Sequence, residues 1–289
     1  MAMKPSTRLR QLLQSDGLVL APGAYDALSA KIIETCGFSA VYMTGAGVSR
    51  SLGFPDVGLT TLSQMTERAA QIAGAVTIPV LADADTGFGN AINARRTIRD
   101  YERAGVAGLH IEDQVAPKRC GHYEGKGLIS IGEMVGKLEA MLDARTDPDF
   151  VIIARTDARA IEGLDMAIER ANRYAETGVD ALFVAAPHSR AELQAIASNV
   201  KAPLMINMFE GGRTPLVSNA DLKEMGYKLI IFSAAAQMAA CHAIKEVMSA
   251  LLSDQSLEAS TARLMSFAER DALSGLPEIE ELEARYVRS

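Results

Sequence analysis

Eight short apolar runs, rich in β-branched residues and separated by longer amphipathic stretches, constrain this chain more than any other feature. They fall at residues 18–21, 40–44, 79–84, 108–112, 150–156, 181–185, 203–207 and 229–233. Most are continuously apolar rather than alternating, the pattern of parallel strands covered on both faces. Helical periodicity intervenes at 24–36, 91–104, 131–144, 164–176 and 191–198. Gly37, Gly105, Gly178 and Gly226 each follow a helical pattern, where a left-handed C-cap is wanted. Strands each followed by a helix, eight times over, read as a (β/α)8 barrel of the TIM type. A doubly wound open sheet is the other arrangement of such a pattern. No Gly-x-Gly-x-x-Gly follows the first strand, which weakens its dinucleotide-binding version.

The 289 residues exceed a barrel of about 250. No linker rich in Pro, Gly or Ser interrupts the repeat, so one barrel domain over 1–289 is expected. Beyond the eighth strand come three further helical stretches, 234–252, 257–270 and 277–285. Their apolar faces need cover. Helices from about 234 to 289 are expected to pack on a neighbouring subunit, with folding back on their own barrel as the alternative. The net charge is -7 and no basic run is present, which argues against nucleic acid. The partner is expected to be a small molecule. No apolar segment reaches the roughly 18 residues of a membrane span. Three cysteines are too few and odd in number for a disulfide framework, and point to a reducing compartment. Residues 1–10 are polar and basic, with no signal-peptide core after them, so the cytoplasm is the expected location.

In such a barrel the chemistry sits where strands end. The second run ends at Tyr42-Met43-Thr44-Gly45-Ala46-Gly47, the third at Asp83-Ala84-Asp85, the fourth at His110-Ile111-Glu112, the fifth at Arg155-Thr156-Asp157 and the seventh at Asn207. Asp83 and Asp85, two apart, share a face of a strand. With Glu112 on the adjacent strand they form an oxygen-rich site that suits Mg2+ or Mn2+. Alternatively, one aspartate caps a helix and the other pairs with an arginine. Asp56 lies in a Gly-, Ser- and Pro-containing loop that can be a lid or part of the pocket floor. Lys118-Arg119-Cys120-Gly121-His122 places a thiol behind two cations, which favour the thiolate. Its cations and imidazole suit a substrate with several carboxylates. Zinc on Cys120 and His122 is disfavoured, because no second Cys-x-x-Cys or His pair accompanies them. Cys36 and Cys241 read as small core residues, Met205 and Met208 as packing, and His188 and His242 as structural or solvent-facing.

Together these motifs resemble the isocitrate lyase and phosphoenolpyruvate mutase superfamily. The specific pieces are residues 82–90 around Asp83 and Asp85, 110–114 around Glu112, 117–122 around Cys120 and 149–157 around Arg155. Within it the chain is similar to the short lyases, 2-methylisocitrate lyase and 2,3-dimethylmalate lyase. The resemblance implies a barrel whose eighth helix is exchanged between subunits, in a dimer of dimers. It implies Mg2+ bound by Asp85 directly and by Asp83 and Glu112 partly through water, with Asp56 nearby. It implies cleavage of a carbon–carbon bond in a malate-like 2-hydroxy acid, releasing an α-keto acid and a carboxylate. Backbone N–H groups of Thr44, Gly45 and Ala46 would hold the keto-acid carboxylate. Arg155 would pair with a substrate oxygen or carboxylate. Lys118, Arg119, Gly121, His122 and Asn207 would bind the fragment on which charge develops. Cys120 would protonate that carbanion, and Tyr42 would take the hydroxyl proton.

One position departs from the pattern. The short lyases carry a glutamate after the sixth strand, where this chain has Ala185. An oxaloacetate hydrolase or decarboxylase on the same fold is therefore the alternative activity. An inactive binding relative is a third reading.

Overall fold

The apolar runs pair in the order in which the chain presents them. The structure, a computed structural model, describes residues 3–287. Eight parallel strands close into a barrel in sequence order. They are β1 (Val19–Ala24), β2 (Val41–Met43), β3 (Val80–Asp83), β4 (Gly108–Glu112), β5 (Val151–Thr156), β6 (Ala181–Val184), β7 (Leu204–Asn207) and β8 (Tyr227–Phe232). This is the expected (β/α)8 barrel. Register sets neighbours that matter below: Asp83 pairs with His110, Glu112 with Arg155, and Arg155 with Phe183.

The chain divides into two compact units, Met1–Ala235 and Ala236–Ser289. In the first, the helices are α1 (Pro5–Gln14), α2 (Ala27–Thr35), α3 (Gly45–Ser51), α4 (Leu62–Ala75), α5 (Ala91–Arg103), α6 (Ile131–Ala144), α7 (Leu164–Ala175), α8 (Arg190–Asn199) and α9 (Asn219–Met225). Side-chain caps start them: Asp26 accepts from the Ser29 N–H, and Asn90 from Ile92 and Asn93. Gly37, Gly105, Gly178 and Gly226 take φ of 88°, 83°, 90° and 102°, the left-handed conformation that glycine adopts without penalty.

Apolar side chains fill two layers. One lies between sheet and helices, around Met65, Ile98, Leu109 and Phe150. The other gathers alternate strand residues such as Leu81, Ile153, Met205 and Ile231 with Leu9 and Leu13 of α1. Helix α1 therefore closes the end of the barrel where strands begin. Ser6 and Thr7 pin it to Asp147 and Asp149, in the turn before β5. The opposite end, where strands finish, is left for ligand.

Several expectations need correction. The first strand runs on through Pro22 to Ala24, and α2 starts three residues later than periodicity implied. Residues 45–51 are helical, because the Thr44 hydroxyl accepts from the Gly47 N–H and caps α3. Cys36 and Cys241 are exposed, not core. Cys36 is the C-cap of α2, beyond its buried face.

The second unit holds most of α10 (Ala235–Asp254), with α11 (Phe267–Ser274) and α12 (Leu276–Tyr286). The helix expected over 257–270 is split into a 3-10 turn, Glu258–Arg263, and α11, because Ser266 and Glu269 form a capping box. Met238, Ile244, Met248, Leu252, Phe267 and Ile279 are exposed. Among the described residues, no helix is long and apolar enough to cross a membrane.

Candidate active site

A cavity of about 300 Å³ opens where the strands end. Tyr42, Thr44, Ala46, Asp56, Asp83, Lys118, Cys120, Gly121, His122, Arg155 and Asn207 line it. Sequence reasoning named all of these. Gly45, Asp85, Glu112 and Arg119 do not line it.

Gly45 packs against Asp83. A Cβ at 45 would meet Asp83 Oδ2 at 2.5 Å, so only glycine fits. Its N–H donates to that oxygen at 3.2 Å, and the Thr44 N–H donates to the Ala24 carbonyl. Two of the three backbone donors expected to hold a carboxylate are thus already engaged. Arg119 is exposed, and its backbone exchanges hydrogen bonds with the Gln114 side chain at 2.9 and 2.8 Å. It shapes the loop rather than facing the cavity.

Asp85 and Glu112 lie behind the wall. The strand ends at Asp83, and Asp85 takes φ of 45° in the turn, so the pleat that was to align the two aspartates does not reach it. Lys118 Nζ lies 2.5 Å from Asp56 Oδ1 and 2.8 Å from Asp85 Oδ1, with all three side chains buried. Burial opposes its charge, but the surrounding carboxylates outweigh that and hold Lys118 firmly protonated. Burial lifts Asp85 to about 6 despite Lys118, with Asp83 and Asp56 adding to the rise. Burial also raises Glu112 well above the usual carboxylate range, although Arg155 opposes it. Arg155 Nη1 stands 3.0 Å from Glu112 Oε2, yet neither Glu112 oxygen has hydrogen-bond geometry with any partner. Among the described residues, no three His, Cys, Asp or Glu side chains gather around one point as metal ligands. The four acids share one end of the barrel, but two of them are held by an ammonium.

Asp83 differs in environment. Burial would raise it, but His110, Lys118 and Arg155 prevail and keep it down at about 2. The Tyr42 hydroxyl donates to Asp83 at 3.2 Å and stands 2.9 Å from His110 Nε2. Burial pushes Tyr42 well above its ordinary value, and the Asp83 charge adds to this. Burial and the Asp83 charge thus favour the neutral phenol at Tyr42. Burial also lowers His110 to about 4, so the imidazole is neutral.

Cys120 sits in the loop after β4, half-buried. Its backbone N–H donates to the Asp56 carbonyl at 3.0 Å. The expected thiolate is not what this environment favours. Burial raises the thiol above its ordinary value and the Asp56 charge adds to this, whereas the His122 N–H, Lys118 and Arg155 only partly oppose it. Lys118, paired with its two aspartates, only partly offsets the cost of burying the thiolate. Cys120 lines the cavity, and burial favours the protonated form of its thiol.

Arg155 is aimed by Asp157, which accepts from Nε at 2.8 Å and Nη2 at 3.2 Å. Asp157 is in turn set by Asp113, whose Oδ1 accepts the Asp157 N–H at 3.0 Å. Asp113 Oδ2 accepts from Thr156 and Tyr174 at 2.7 and 2.9 Å. On the far wall, Phe183, Ala185, Ala186 and Ile231 give an apolar surface, and Arg50 adds a cation. Sequence reasoning assigned no role to Phe183, Ile231 or Arg50. For the first two, their inward position was legible in strand alternation.

Comparisons with known proteins show the family. The phosphoenolpyruvate phosphomutase family model matches residues 9–252. The 2,3-dimethylmalate lyase of Eubacterium barkeri is 46% identical over 98% of this chain and 99% of its own. The structure of oxaloacetate acetylhydrolase with 3,3-difluorooxalacetate superposes with a TM-score of 0.94 and 34% identity, covering 99% of both chains. That of phosphonopyruvate hydrolase with oxalate and Mg2+ gives 0.91 and 32%, covering 99% of this chain and 100% of the other. With two-thirds of every chain far exceeded and the motif residues gathered at one barrel end, the protein belongs to the phosphoenolpyruvate mutase/isocitrate lyase superfamily.

Proposed function

We propose that this protein uses Mg2+ to cleave a 2-hydroxy di- or tricarboxylate of the alkylmalate or methylisocitrate type into an α-keto acid and a carboxylate. That it is a carbon–carbon lyase follows from its kinship with 2,3-dimethylmalate lyase. The proposal adds substrate, metal and residue roles. The observation that carries it is that Cys120, whose protonated thiol burial favours, lines the same cavity as Arg155, Lys118 and an apolar wall at Phe183, Ala185 and Ile231. Cations suit the carboxylates, and the apolar wall suits an alkyl branch.

Both Glu112 oxygens are buried without a bond of hydrogen-bond geometry, Asp85 Oδ1 is buried against Lys118 alone, and such hard oxygen donors fit Mg2+. Mg2+ keeps several waters and needs only one or two carboxylates, so the lack of a three-ligand cluster does not argue against it. Asp85 and Glu112 would hold it, with Asp83 and Asp56 beside them. When bound, the cation supplies Lewis-acid stabilisation of the keto-acid oxygens. The chain's own residues do the rest. Arg155, His122 and Asn207 orient the carboxylates against Thr44 and Ala46. As the hydroxyl proton passes to solvent and the carbonyl forms, the electron pair of the breaking bond passes to the departing carbon. Cys120 Sγ–H protonates that carbon, and solvent restores the thiol. Gly121 lets the backbone approach Arg155, since a Cβ there would lie 2.9 Å from Nη2.

The test is a panel of 2-methylisocitrate, isocitrate, 2,3-dimethylmalate and oxaloacetate, assayed with Mg2+ and with chelator. Chelator-sensitive cleavage of a branched acid supports the reading. Turnover of oxaloacetate alone favours the hydrolase or decarboxylase, and silence on all four favours a binding relative.

A homotetramer belongs to the same reading, with the helices of 234–289 on a neighbouring subunit of one barrel domain. The exposed apolar side chains of α10 and α11 support it. Light scattering on the purified chain should give four times the 30.8 kDa protomer mass. A monomer would contradict it. Three free cysteines fit a cytoplasmic location.

A further inference from the structure

We propose that Lys126 is a positioning residue, clasping the loop that carries Cys120 to the strand end that carries Arg155. The loop from Gln114 to Leu128 is closed at its base by a β-bridge between those two residues. At its tip, Lys126 Nζ donates to the Gly121 carbonyl, next to Cys120. The same nitrogen donates to Asp157 Oδ1 at 3.1 Å. The Lys126 side chain is 2% exposed and that of Asp157 0%, although Lys126 stands between exposed Gly125 and Gly127. A buried ammonium in an otherwise exposed stretch must be matched by its acceptors, and here the acceptors belong to two different elements.

The clasp reaches the cavity through Asp157. That carboxylate takes Lys126 on one side and the Arg155 fork on the other. Gly121 fits against the pair, since a Cβ there would come within 2.9 Å of Arg155 Nη2 and 3.3 Å of Asp157 Oδ1. Lifting the loop separates Lys126 from Asp157 or drags it off Gly121. Either event takes an acceptor from the buried ammonium and removes the Gly121 backbone that packs against Arg155. Lys126 itself does not line the cavity. It acts through Gly121 and Asp157: loop closure, thiol placement and Arg155 orientation become one event. Arginine can keep the charge but not the compact point-like donor, so Lys126→Arg should restore only part of the function.

This role rests on the lyase reading only where turnover is measured, so the test has a second arm. In a Cys36→Ser, Cys241→Ser background Cys120 is the one thiol, and its reaction with a disulfide reagent reports loop opening. Lys126→Met should label at least tenfold faster than the parent, with Lys126→Arg between them, and amide exchange across 114–128 should quicken in the same order. On the cleaved substrate, kcat should fall more than KM rises. Unchanged labelling and exchange in a cooperatively melting Lys126→Met protein would overturn the proposal. Should that variant not melt cooperatively, Lys126→Gln is read by the same criteria. Faster labelling in a protein that turns over no acid would uphold the clasp and count against the lyase reading instead.

Discussion

Lys118 Nζ lies 2.8 Å from Asp85 Oδ1, so an ammonium sits on the carboxylate expected to hold the cation. The same nitrogen is 2.5 Å from Asp56. Two buried acids share one buried base, and removing it leaves both uncompensated. Lys118→Met should therefore lose about 3–5 kcal/mol of stability in metal-free buffer, read by urea denaturation. Saturating Mg2+ should restore part of it, since a ligand at 100 times its Kd adds about 2.7 kcal/mol. Equal stability of variant and parent without Mg2+ would show that the triad is not a paired unit.

Cation binding should weaken with acid. Burial holds Asp85 up at about 6 in the free protein, and Mg2+ must displace that proton. Above pH 6 Asp85 is already ionised, and what pH dependence persists comes from Glu112. Below it, affinity should fall, approaching tenfold per pH unit, because each unit deepens protonation by a factor of about ten. Glu112, also raised, adds to the slope. Titration calorimetry between pH 5 and 8 checks this. Affinity independent of pH across that range would exclude Asp85 as a ligand.

Ala185 should set the size of the substrate branch. It is 4% exposed and forms part of the apolar wall. Ala185→Leu fills part of a cavity of about 300 Å³. It should cut kcat/KM for 2,3-dimethylmalate by roughly tenfold to 200-fold, the span for one methylene in an apolar pocket. The loss for unbranched oxaloacetate should be smaller. Equal losses for both acids would place the branch elsewhere.

The barrel was legible because its information is local. Continuous apolar runs mark buried parallel strands, and glycines at 37, 105, 178 and 226 mark helix ends, so β4 and α6 were bounded to the residue. Most of the cavity lining was legible too, because strand ends are where such a fold displays its polar residues. What failed depends on which residue meets which in space. Helix α1 reads as a polar stretch, yet Leu9 and Leu13 plug the barrel. Lys118 reads as a cation beside Cys120, but its charge is taken by Asp56, 62 residues away. Tyr42 carries no local sign of the Asp83 and His110 contacts that surround its hydroxyl. Lys126 carries no local signal, since its partner Asp157 is 31 residues on.

The central claim is that a protonated Cys120 delivers the proton to the carbon released by bond cleavage. Cys120→Ala removes only that donor, so its steady-state turnover of 2,3-dimethylmalate, followed as pyruvate released with Mg2+ present, is the most direct measurement. The expected result is a fall in kcat of about 10²- to 10⁴-fold, the usual share of a general acid, with oxalate binding unchanged. Cleavage at the parent rate would contradict the account, because the carbanion would then take its proton from elsewhere.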